Sequence, residues 1–510
     1  MSKIISFISN YRASLLLLLI SLIFRLAYGS HYVVFSQDVA RDNLIIQKYI
    51  NNHTYLVGYG PKASVYDFYL PPFYYQLHLI VSLITHSYPL VMKYLITIVE
   101  SITPVILFLI LSRILSQWKA YLLAILYLLS SLVLSISVNA WNPNMIPLFS
   151  TLALYTWIKI FIDKKYKWFI LGILVTTLAI QLHYQAVVLT PFLLAISIWS
   201  LIKSKGSLKY ILTGLTLSSL TMLPYVFAEL NNGWHNTHQI INYFTQEHSR
   251  YFDQVSKINF FSDFIPSFLQ RVLMGYHYNL LIGRLIFVFG LLFVLFNMTK
   301  KDRLAILMGI YMFSILIMLR VYKGDKLDYY MSTLFIVPPI LIAFIWKYIK
   351  TPIFSIFIFV LIYYSGLYLG KSGNFNDLKT INSEQQLISQ ISSKKQFRVL
   401  FHNDDQINKY AYIFNNLSKT SNDSNYVLEV CESTSQCEPA SRPICVNNMG
   451  YTYANILRTT QTNSLLFYNL QSRFILSQYQ DTIKPLGYKL YEYDNAYGID
   501  TVFPQAYNWY

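Results

Sequence analysis

Two neighbouring stretches near the N-terminus decide how the chain folds. Residues 15–24 read Leu-Leu-Leu-Leu-Leu-Ile-Ser-Leu-Ile-Phe, and residues 35–42 read Phe-Ser-Gln-Asp-Val-Ala-Arg-Asp. The first stretch is soluble in hydrocarbon, and Asp38 follows it after a short interval. A carboxylate there would lie at the depth of the lipid headgroups, where ionisable groups are costly and often functional. The alternative is that Asp38 merely caps the helix that follows it.

The composition indicates a polytopic helical membrane protein. Of 510 residues, 55% are hydrophobic and 13% are charged, whereas soluble domains carry about 25% charged residues. The apolar residues form blocks of roughly 18–22, the length that crosses a bilayer as a helix. Eleven spans are predicted, with thirteen as the alternative count, and the segment 72–86 is expected to enter the membrane without crossing it. The spans are 13–28, 91–113, 119–138, 145–162, 167–182, 186–203, 208–228, 280–298, 303–320, 329–347 and 351–369.

Lysine and arginine set the predicted orientation, because they gather in cytoplasmic loops. Their distribution is consistent with a cytoplasmic N-terminus, and an odd number of spans then places the C-terminus outside. The outer face would hold the loops and turns 29–90, 139–144, 183–185, 229–279 and 321–328 and the tail 371–510. Arg25 interrupts the first apolar block and no small-residue cleavage site follows, so we interpret this block as an uncleaved span.

The net charge and the aromatic content both fit a membrane protein. Much of the formal charge of +16 lies in predicted inner loops, so it indicates topology and no nucleic-acid partner. The chain has 44 Tyr and 34 Phe. Most of them are expected at the membrane interfaces and on lipid-facing surfaces. The remainder are candidates for sugar-stacking platforms on the outer face.

The chain changes character from about Lys371 onward. Long apolar blocks stop, and the segments 397–402 and 426–431 have the composition of short strands. The tail 371–510 is therefore predicted to be a small soluble α+β domain outside the cytoplasm. It contains Cys431, Cys437 and Cys445, whose spacing does not resemble a zinc site. In an oxidising compartment one pair can close a small loop and leave one thiol.

The outer loops carry the polar groups from which a site can be built. Asp38, Arg41 and Asp42 would share one face of a helix on the membrane surface, either as a salt-bridged surface or as a base beside an orienting cation. Outer basic residues near 320–326 run against the usual trend and are expected to pair with an anionic lipid phosphate. The alternative is that they pair with Asp325 and Asp328. P-loop, HExxH and GxSxG patterns are absent.

Several motifs, taken in order, resemble the GT-C superfamily of membrane glycosyltransferases. They are similar to its bacterial branch related to protein O-mannosyltransferases and to the aminoarabinose transferase that modifies lipid A. In the first outer loop they are Asp38-Val-Ala-Arg-Asp42, Gly60-Pro61 and Pro71-Pro-Phe-Tyr-Tyr75. Later ones are Trp141-Asn-Pro-Asn144, Gln181-Leu-His-Tyr184, and the segments 229–237 and 326–330 before Pro338. The resemblance covers residues 10–350.

The resemblance implies an all-α polytopic fold of about 11–13 transmembrane helices over residues 1–370. It implies an inverting transfer of a sugar from a polyprenyl-phosphate donor to a lipid, glycan or protein acceptor. The reaction would occur at the periplasmic face of a bacterial inner membrane, among membrane lipids. Asp38 maps onto the catalytic base of the family, which fits the need of an attacking hydroxyl to lose its proton.

The remaining site residues follow from the chemistry of this reaction and from the motifs quoted above. Cations that stabilise the leaving phosphate are expected to be Arg41, Lys62, Arg320, Lys323 and Lys326. The substrate-binding residues are expected to be Asp42, Asp67, Tyr74, Trp141, Asn142, His183, Tyr184 and Asn236. No cofactor is predicted. A divalent metal remains an alternative, but no paired-carboxylate motif supports it, because Val39 stands where the family commonly has a second acidic residue.

Two other functions share parts of this pattern. A transporter or flippase for lipid-linked saccharides would favour charged or broken helices at mid-membrane and inverted repeats. The predicted spans are nearly free of acidic residues apart from Glu100, which favours an enzyme. A ligase that transfers a whole glycan from a lipid carrier would have the same topology.

Overall fold

A computed structural model describes most of the N-terminal three-quarters of the chain and several strands of the rest. The described residues are 2–63, 68–245, 259–275, 280–321, 328–371, 375–376, 382, 386, 398–401, 426–431, 451–458, 464–470 and 489–491. They form two compact units: one is Met1–Tyr32 with Asn52–Asn374, and the other is Val33–Asn51 with Phe375–Tyr510. The sequence placed a boundary at residue 371; the units divide near it, and the segment Val33–Asn51 groups with the second unit.

The first unit is built from α-helices that follow one another at short intervals. They are α1 (Ser2–His31), α3 (Phe73–Ile84), α4 (Val91–Glu100), α5 (Thr103–Leu111), α6 (Gln117–Leu128), α7 (Ser131–Ser137), α8 (Ile146–Phe161) and α9 (Trp168–Leu182). Then come α10 (Thr190–Lys203), α11 (Leu208–Asn231), α12 (His235–Thr245), α13 (Ile265–Met274), α14 (Leu280–Thr299), α15 (Arg303–Val321), α16 (Val337–Trp346) and α17 (Thr351–Lys371). Short 3-10 turns lie at Asn142–Met145, Tyr184–Leu189, Lys205–Ser207 and Asp328–Leu334, and a π-helical turn at Phe260–Phe264.

Proline and serine explain where several of these helices begin. Pro104, Pro147, Pro191, Pro266 and Pro338 lie in the first turns of their helices, where a missing N–H costs no hydrogen bond. The chain bends by 65° between α6 and α7. There the Ser130 hydroxyl accepts a hydrogen bond from the Val133 N–H at 3.4 Å, so a capped second helix starts at the bend.

Among the described residues, six helical segments are long and apolar enough to cross a membrane, and two bent pairs raise this number to at most eight. All eleven predicted spans fall on helices, but the predicted count of 11–13 is higher than these segments provide. The helices α8 and α9 have 16 and 15 residues, roughly 22–24 Å at the helical rise, short of a hydrocarbon core about 30 Å thick. The segment predicted not to cross corresponds to α3, which has 12 residues.

The core of the first unit is large and aromatic. Its largest fully buried side chains include Trp157, Trp346, Tyr127 and Tyr311. Rows of exposed leucine, isoleucine and phenylalanine remain on the outside of α1, α11 and α14, as expected of helices whose solvent is lipid.

The second unit contains α2 (Gln37–Asn51) and a five-stranded sheet. The short strands β1 (Tyr32–Val33) and β2 (Phe375–Asn376) lie at the unit boundaries; the sheet is formed by β3 (Arg398–Phe401), β4 (Tyr426–Cys431), β5 (Tyr451–Arg458), β6 (Ser464–Leu470) and β7 (Lys489–Tyr491). The strand order is β5-β6-β4-β3-β7, with β3 and β4 parallel and the other pairs antiparallel. Cys431 ends β4, whereas Cys437 and Cys445 lie outside the described residues.

Candidate active site

The acid and cation predicted for the first outer loop form an ion-paired cluster on α2. Arg41 donates from Nη1 to Asp38 Oδ1 at 2.8 Å, and from Nε and Nη2 to Asp42 Oδ1 at 3.0 and 2.8 Å. The side chain of Asp38 is 39% exposed, that of Arg41 15% and that of Asp42 1%. Of the two carboxylates, Asp38 is therefore the accessible one, and the buried Asp42 holds Arg41 in place.

The start of α2 excludes the alternative role for Asp38. The hydroxyl of Ser36 accepts a hydrogen bond from the Val39 N–H at 3.4 Å, and the Ser36 carbonyl accepts one from Ala40 at 3.0 Å. Ser36 is thus the N-cap of the helix. The Asp38 side chain pairs with Arg41 instead, one turn further along the helix.

In the first unit, the described parts of the loop predicted to lie on the outer face fold back on each other as an irregular hairpin. The Gly60 N–H donates to the Leu70 carbonyl at 2.7 Å, and the Leu70 N–H donates to the Pro61 carbonyl at 3.0 Å. A Cβ at position 60 would collide with the carbonyl of Pro71, so this close approach requires glycine. Lys62 is partly exposed on the hairpin, with its ammonium 5.7 Å from the ring centre of Tyr69. Asp67 lies outside the described residues.

Glu229, at the end of α11, fastens this hairpin to the helices. Its carboxylate is fully buried and accepts three hydrogen bonds. They come from the hydroxyl of Tyr59 at 2.7 Å and from the N–H and hydroxyl of Thr237 at 2.8 and 2.6 Å. Burial, and then the bond to Glu229, raise the pKa of Tyr59, so its phenol remains a donor. The three bonds satisfy a buried charge that would otherwise be costly.

Asn236 and Tyr184 hold the other strand of the hairpin. Asn236 is fully buried; its amide oxygen accepts from the Tyr69 N–H, and its amide nitrogen donates to the Tyr69 carbonyl at 3.1 Å and to the Tyr225 hydroxyl at 2.6 Å. The hydroxyl of Tyr184 donates to the same carbonyl at 2.9 Å. Both were predicted to bind substrate; their polar atoms are engaged with the main chain, which favours a positioning role.

Two other predicted substrate residues are also buried. Tyr74 is 1% exposed and Asn142 is 4% exposed. The Asn142 amide donates to the Leu182 carbonyl at 2.7 Å, so it fixes the chain just before His183. These contacts again favour positioning over direct binding.

Trp141 and His183 lie in a cluster of partly exposed rings. Trp141 and Tyr329 have ring centres 4.3 Å apart, as do Tyr329 and Tyr330. The ring of His183 lies 5.3 Å from that of Tyr330 and 6.1 Å from that of Tyr329. Burial lowers the pKa of His183 to about 4, so the imidazole is neutral near pH 7. We did not assign a role to Tyr329 or Tyr330 from sequence, although both belong to a motif that carried the resemblance.

The structure describes only some of the predicted cations. Arg320 is partly buried near the end of α15, with its guanidinium 6.0 Å from the ring centre of Phe260, whereas Lys323 and Lys326 lie outside the described residues. Asp328 pairs at 2.6 Å with Arg271 of α13, and both side chains are 22% exposed. Sequence reasoning missed Arg271; its only signal is that it is a basic residue in the predicted outer loop 229–279.

Within the described part of the chain, no cluster of three or more His, Cys, Asp or Glu residues has the arrangement of a metal site. The chemistry available to the described residues is therefore a partly exposed carboxylate, several cations and a set of aromatic rings.

Residues 70–226 match the family of dolichyl-phosphate-mannose-protein mannosyltransferases. Apo ArnT from Cupriavidus metallidurans is similar in structure, with a TM-score of 0.55 and 10% identity over 92% of this chain and 98% of ArnT. The chain therefore shares its fold with ArnT, and its residues 70–226 resemble that mannosyltransferase family. ArnT from the same organism bound to undecaprenyl phosphate is similar to this chain with a TM-score of 0.52 and 11% identity, over 90% and 98% of the two chains.

Another similar solved structure is the apo oligosaccharyltransferase of Archaeoglobus fulgidus, with a TM-score of 0.47 and 11% identity. The alignment covers 74% of this chain, which spans 58% of the length of the archaeal protein. Among curated proteins, none matches this chain significantly in sequence. The likeness to ArnT therefore establishes the fold, and it leaves the donor and the acceptor to be argued from the site.

Proposed function

We propose that the chain is an inverting glycosyltransferase that moves one sugar from a polyprenyl-phosphate donor to a lipid, glycan or protein acceptor. The observation that carries the proposal is Asp38, a partly exposed carboxylate oriented by Arg41 on the helix that follows the first span, in a chain of GT-C fold. The reaction is proposed to occur on the periplasmic face of a bacterial inner membrane.

In the proposed reaction, Asp38 removes the proton of the acceptor hydroxyl as its oxygen attacks the anomeric carbon. A new C–O bond forms on one side of that carbon, and the bond to the phosphate oxygen breaks on the other side. The bonding electrons leave with the polyprenyl phosphate. Because the leaving group is already an anion, cations stabilise it and no general acid is needed. Arg41, Lys62, Arg320, Lys323 and Lys326 are proposed for this role.

Two findings support a lipid-phosphate donor. The family that matches residues 70–226 is described by a dolichyl-phosphate-linked sugar, and a structural relative binds undecaprenyl phosphate. Of the predicted substrate residues, Trp141 and His183 are partly exposed and are proposed to contact the substrate. Asp42, Tyr74, Asn142, Tyr184 and Asn236 are proposed to support the residues that do, and Asp67 remains a proposed substrate contact.

The proposed function is tested with the purified chain in lipid nanodiscs. Undecaprenyl phosphate carrying a single radiolabelled hexose is supplied with a membrane extract from cells that lack the protein. The expected result is transfer of label from the lipid to a new product, with release of undecaprenyl phosphate detected by mass spectrometry. Label that moves between leaflets in proteoliposomes without any transfer would indicate a flippase and contradict the proposal. Transfer of an oligosaccharide but no monosaccharide would indicate a ligase.

A further inference from the structure

The cluster of Trp141, His183, Tyr329 and Tyr330 brings together rings from three distant parts of the sequence. They come from the turns after α7 and α9, both predicted to lie on the outer face, and from the turn before α16, which follows directly on the predicted outer loop 321–328. All four side chains are partly exposed, while their immediate neighbours Asn142, Ala186 and Met331 are buried.

The main chain beneath the rings is held by hydrogen bonds. Gln185 donates from Nε2 to the Tyr329 carbonyl at 2.5 Å and to the Ser332 hydroxyl at 2.8 Å. The amide of Asn142 donates to the Leu182 carbonyl, one residue before His183. The rings are thus fixed before any ligand arrives, and a preorganised surface loses little entropy on binding.

An interfacial aromatic belt does not account for this arrangement. Belt residues are distributed around a membrane protein at headgroup depth, whereas these four rings contact one another with centres 4.3–6.1 Å apart. Next to them in sequence, the charge of Asp328 is paired with Arg271 at 2.6 Å. The described surface therefore consists of aromatic rings and a neutral imidazole. The charges of Asp328 and Arg271 beside it compensate each other.

We propose that Trp141, His183, Tyr329 and Tyr330 form a stacking surface for a pyranose ring. The C–H groups on one face of a pyranose carry a small positive charge, and the faces of aromatic rings are negative. Ligand sites commonly combine such apolar walls with a few polar groups. This inference rests on the proposed function and adds to it a sugar-recognition surface. The sugar belongs either to the donor head or to a glycan acceptor.

The test uses the full chain in nanodiscs and three probes: undecaprenyl phosphate, undecaprenyl-phosphate mannose and a soluble methyl mannoside. Trp141→Leu and Tyr329→Leu remove a ring but keep an apolar side chain; Tyr329→Phe keeps the ring. Tyr363→Leu is the matched control, since Tyr363 is 62% exposed on α17 and outside the cluster. Thermal unfolding of each variant is recorded first, and only variants with the wild-type midpoint are compared.

Stacking on the donor sugar predicts that the two leucine variants bind undecaprenyl-phosphate mannose about tenfold more weakly, on the scale of an aromatic contact. Their affinity for bare undecaprenyl phosphate should not change, and Tyr329→Phe and Tyr363→Leu should behave like wild type. Stacking on an acceptor glycan predicts weaker binding of the methyl mannoside alone.

If neither sugar-bearing probe responds to either leucine variant, the stacking surface is wrong. Equal weakening of both lipid probes would also overturn it, because that pattern indicates a lipid-tail or phosphate contact. Failure of the wild-type chain to bind any polyprenyl phosphate would instead contradict the proposed donor, and the methyl mannoside would still test the stacking surface.

Discussion

The buried carboxylate of Glu229 accepts a hydrogen bond from the hydroxyl of Tyr59 at 2.7 Å, although 170 residues separate them in sequence. Together with the two bonds from Thr237, this bond connects the hairpin to the end of α11 and the start of α12. The hairpin carries Lys62, one of the cations proposed to bind the donor phosphate. Its position therefore depends on a carboxylate that need not touch the substrate.

Glu229→Gln should lower the stability of the first unit. The amide has one acceptor oxygen in place of two, so at least one of the groups that now donate to Glu229 must face its NH2 group instead, and an unsatisfied buried group costs about 1–3 kcal/mol. The thermal midpoint in detergent should fall, and proteolysis within residues 59–70 should become faster. Tyr59→Phe, which removes one donor and keeps the ring, should cost less. If Glu229→Gln is as stable as wild type, the carboxylate of Glu229 does not stabilise the first unit.

Asp38→Asn should preserve folding and donor binding but reduce turnover by at least about a hundredfold, the usual scale for loss of a general base. The measurement is kcat for sugar transfer beside the affinity for the donor. Asp42→Asn is the matched comparison: it alters a buried partner of Arg41, so its loss of stability should exceed that of Asp38→Asn. Near-normal turnover in Asp38→Asn would remove Asp38 as the base.

Neutralising a cation that contacts the donor phosphate should weaken donor binding severalfold, since one basic residue near an anionic lipid surface contributes about 1 kcal/mol. The variants are Arg41→Gln, Arg320→Gln and Lys323→Gln, with Lys205→Gln as a control on a predicted inner loop. Affinity is measured with the sugar-bearing lipid at two salt concentrations. Unchanged affinity in all three test variants would contradict the predicted phosphate site.

Lys93 should be needed for the stability of the end of α1. Its side chain is 1% exposed, and its ammonium donates to the Gly29 carbonyl and, at 2.9 Å, to the Tyr32 carbonyl. It thereby satisfies carbonyls that a helix end leaves unpaired. Lys93→Met keeps the length of the side chain but removes the donors, so the thermal midpoint should fall clearly. Lys205 is exposed, so Lys205→Met should leave the thermal midpoint almost unchanged. If both variants lower the midpoint equally, Lys93 does not cap the helix.

The tail that follows α17 should lie outside the cytoplasm. A reporter active only in the periplasm, fused after Tyr510, should give signal, and a cytoplasmic reporter at the same position should be silent. A fusion within the predicted inner loop at 203–209 supplies the opposite control. Reversed signals would overturn the predicted orientation and place Asp38 on the other side of the membrane, unless a span has been miscounted after it.

Part of the candidate site is local in sequence and was predictable for that reason. Asp38, Arg41 and Asp42 lie within one helical turn, where spacings of three and four bring side chains together, and the structure shows the predicted ion pairs. It also assigns the N-cap to Ser36, because a cap needs a side-chain oxygen just before the helix. Arg271 is the counterexample: it pairs with Asp328 across 57 residues, and no local pattern indicates that contact.

The sequence by itself determined that this protein is a helical membrane protein, and where most helices lie. Blocks of apolar residues and prolines in first turns act over a few residues, so they can be identified without a fold. Tertiary structure decided which polar groups meet, as with Glu229 and Tyr59, Asn236 and Tyr69, or Trp141 and Tyr329. It also decided which candidates are buried and which remain accessible. The physical reason is that these contacts join distant segments, and their geometry exists only once the helices have packed.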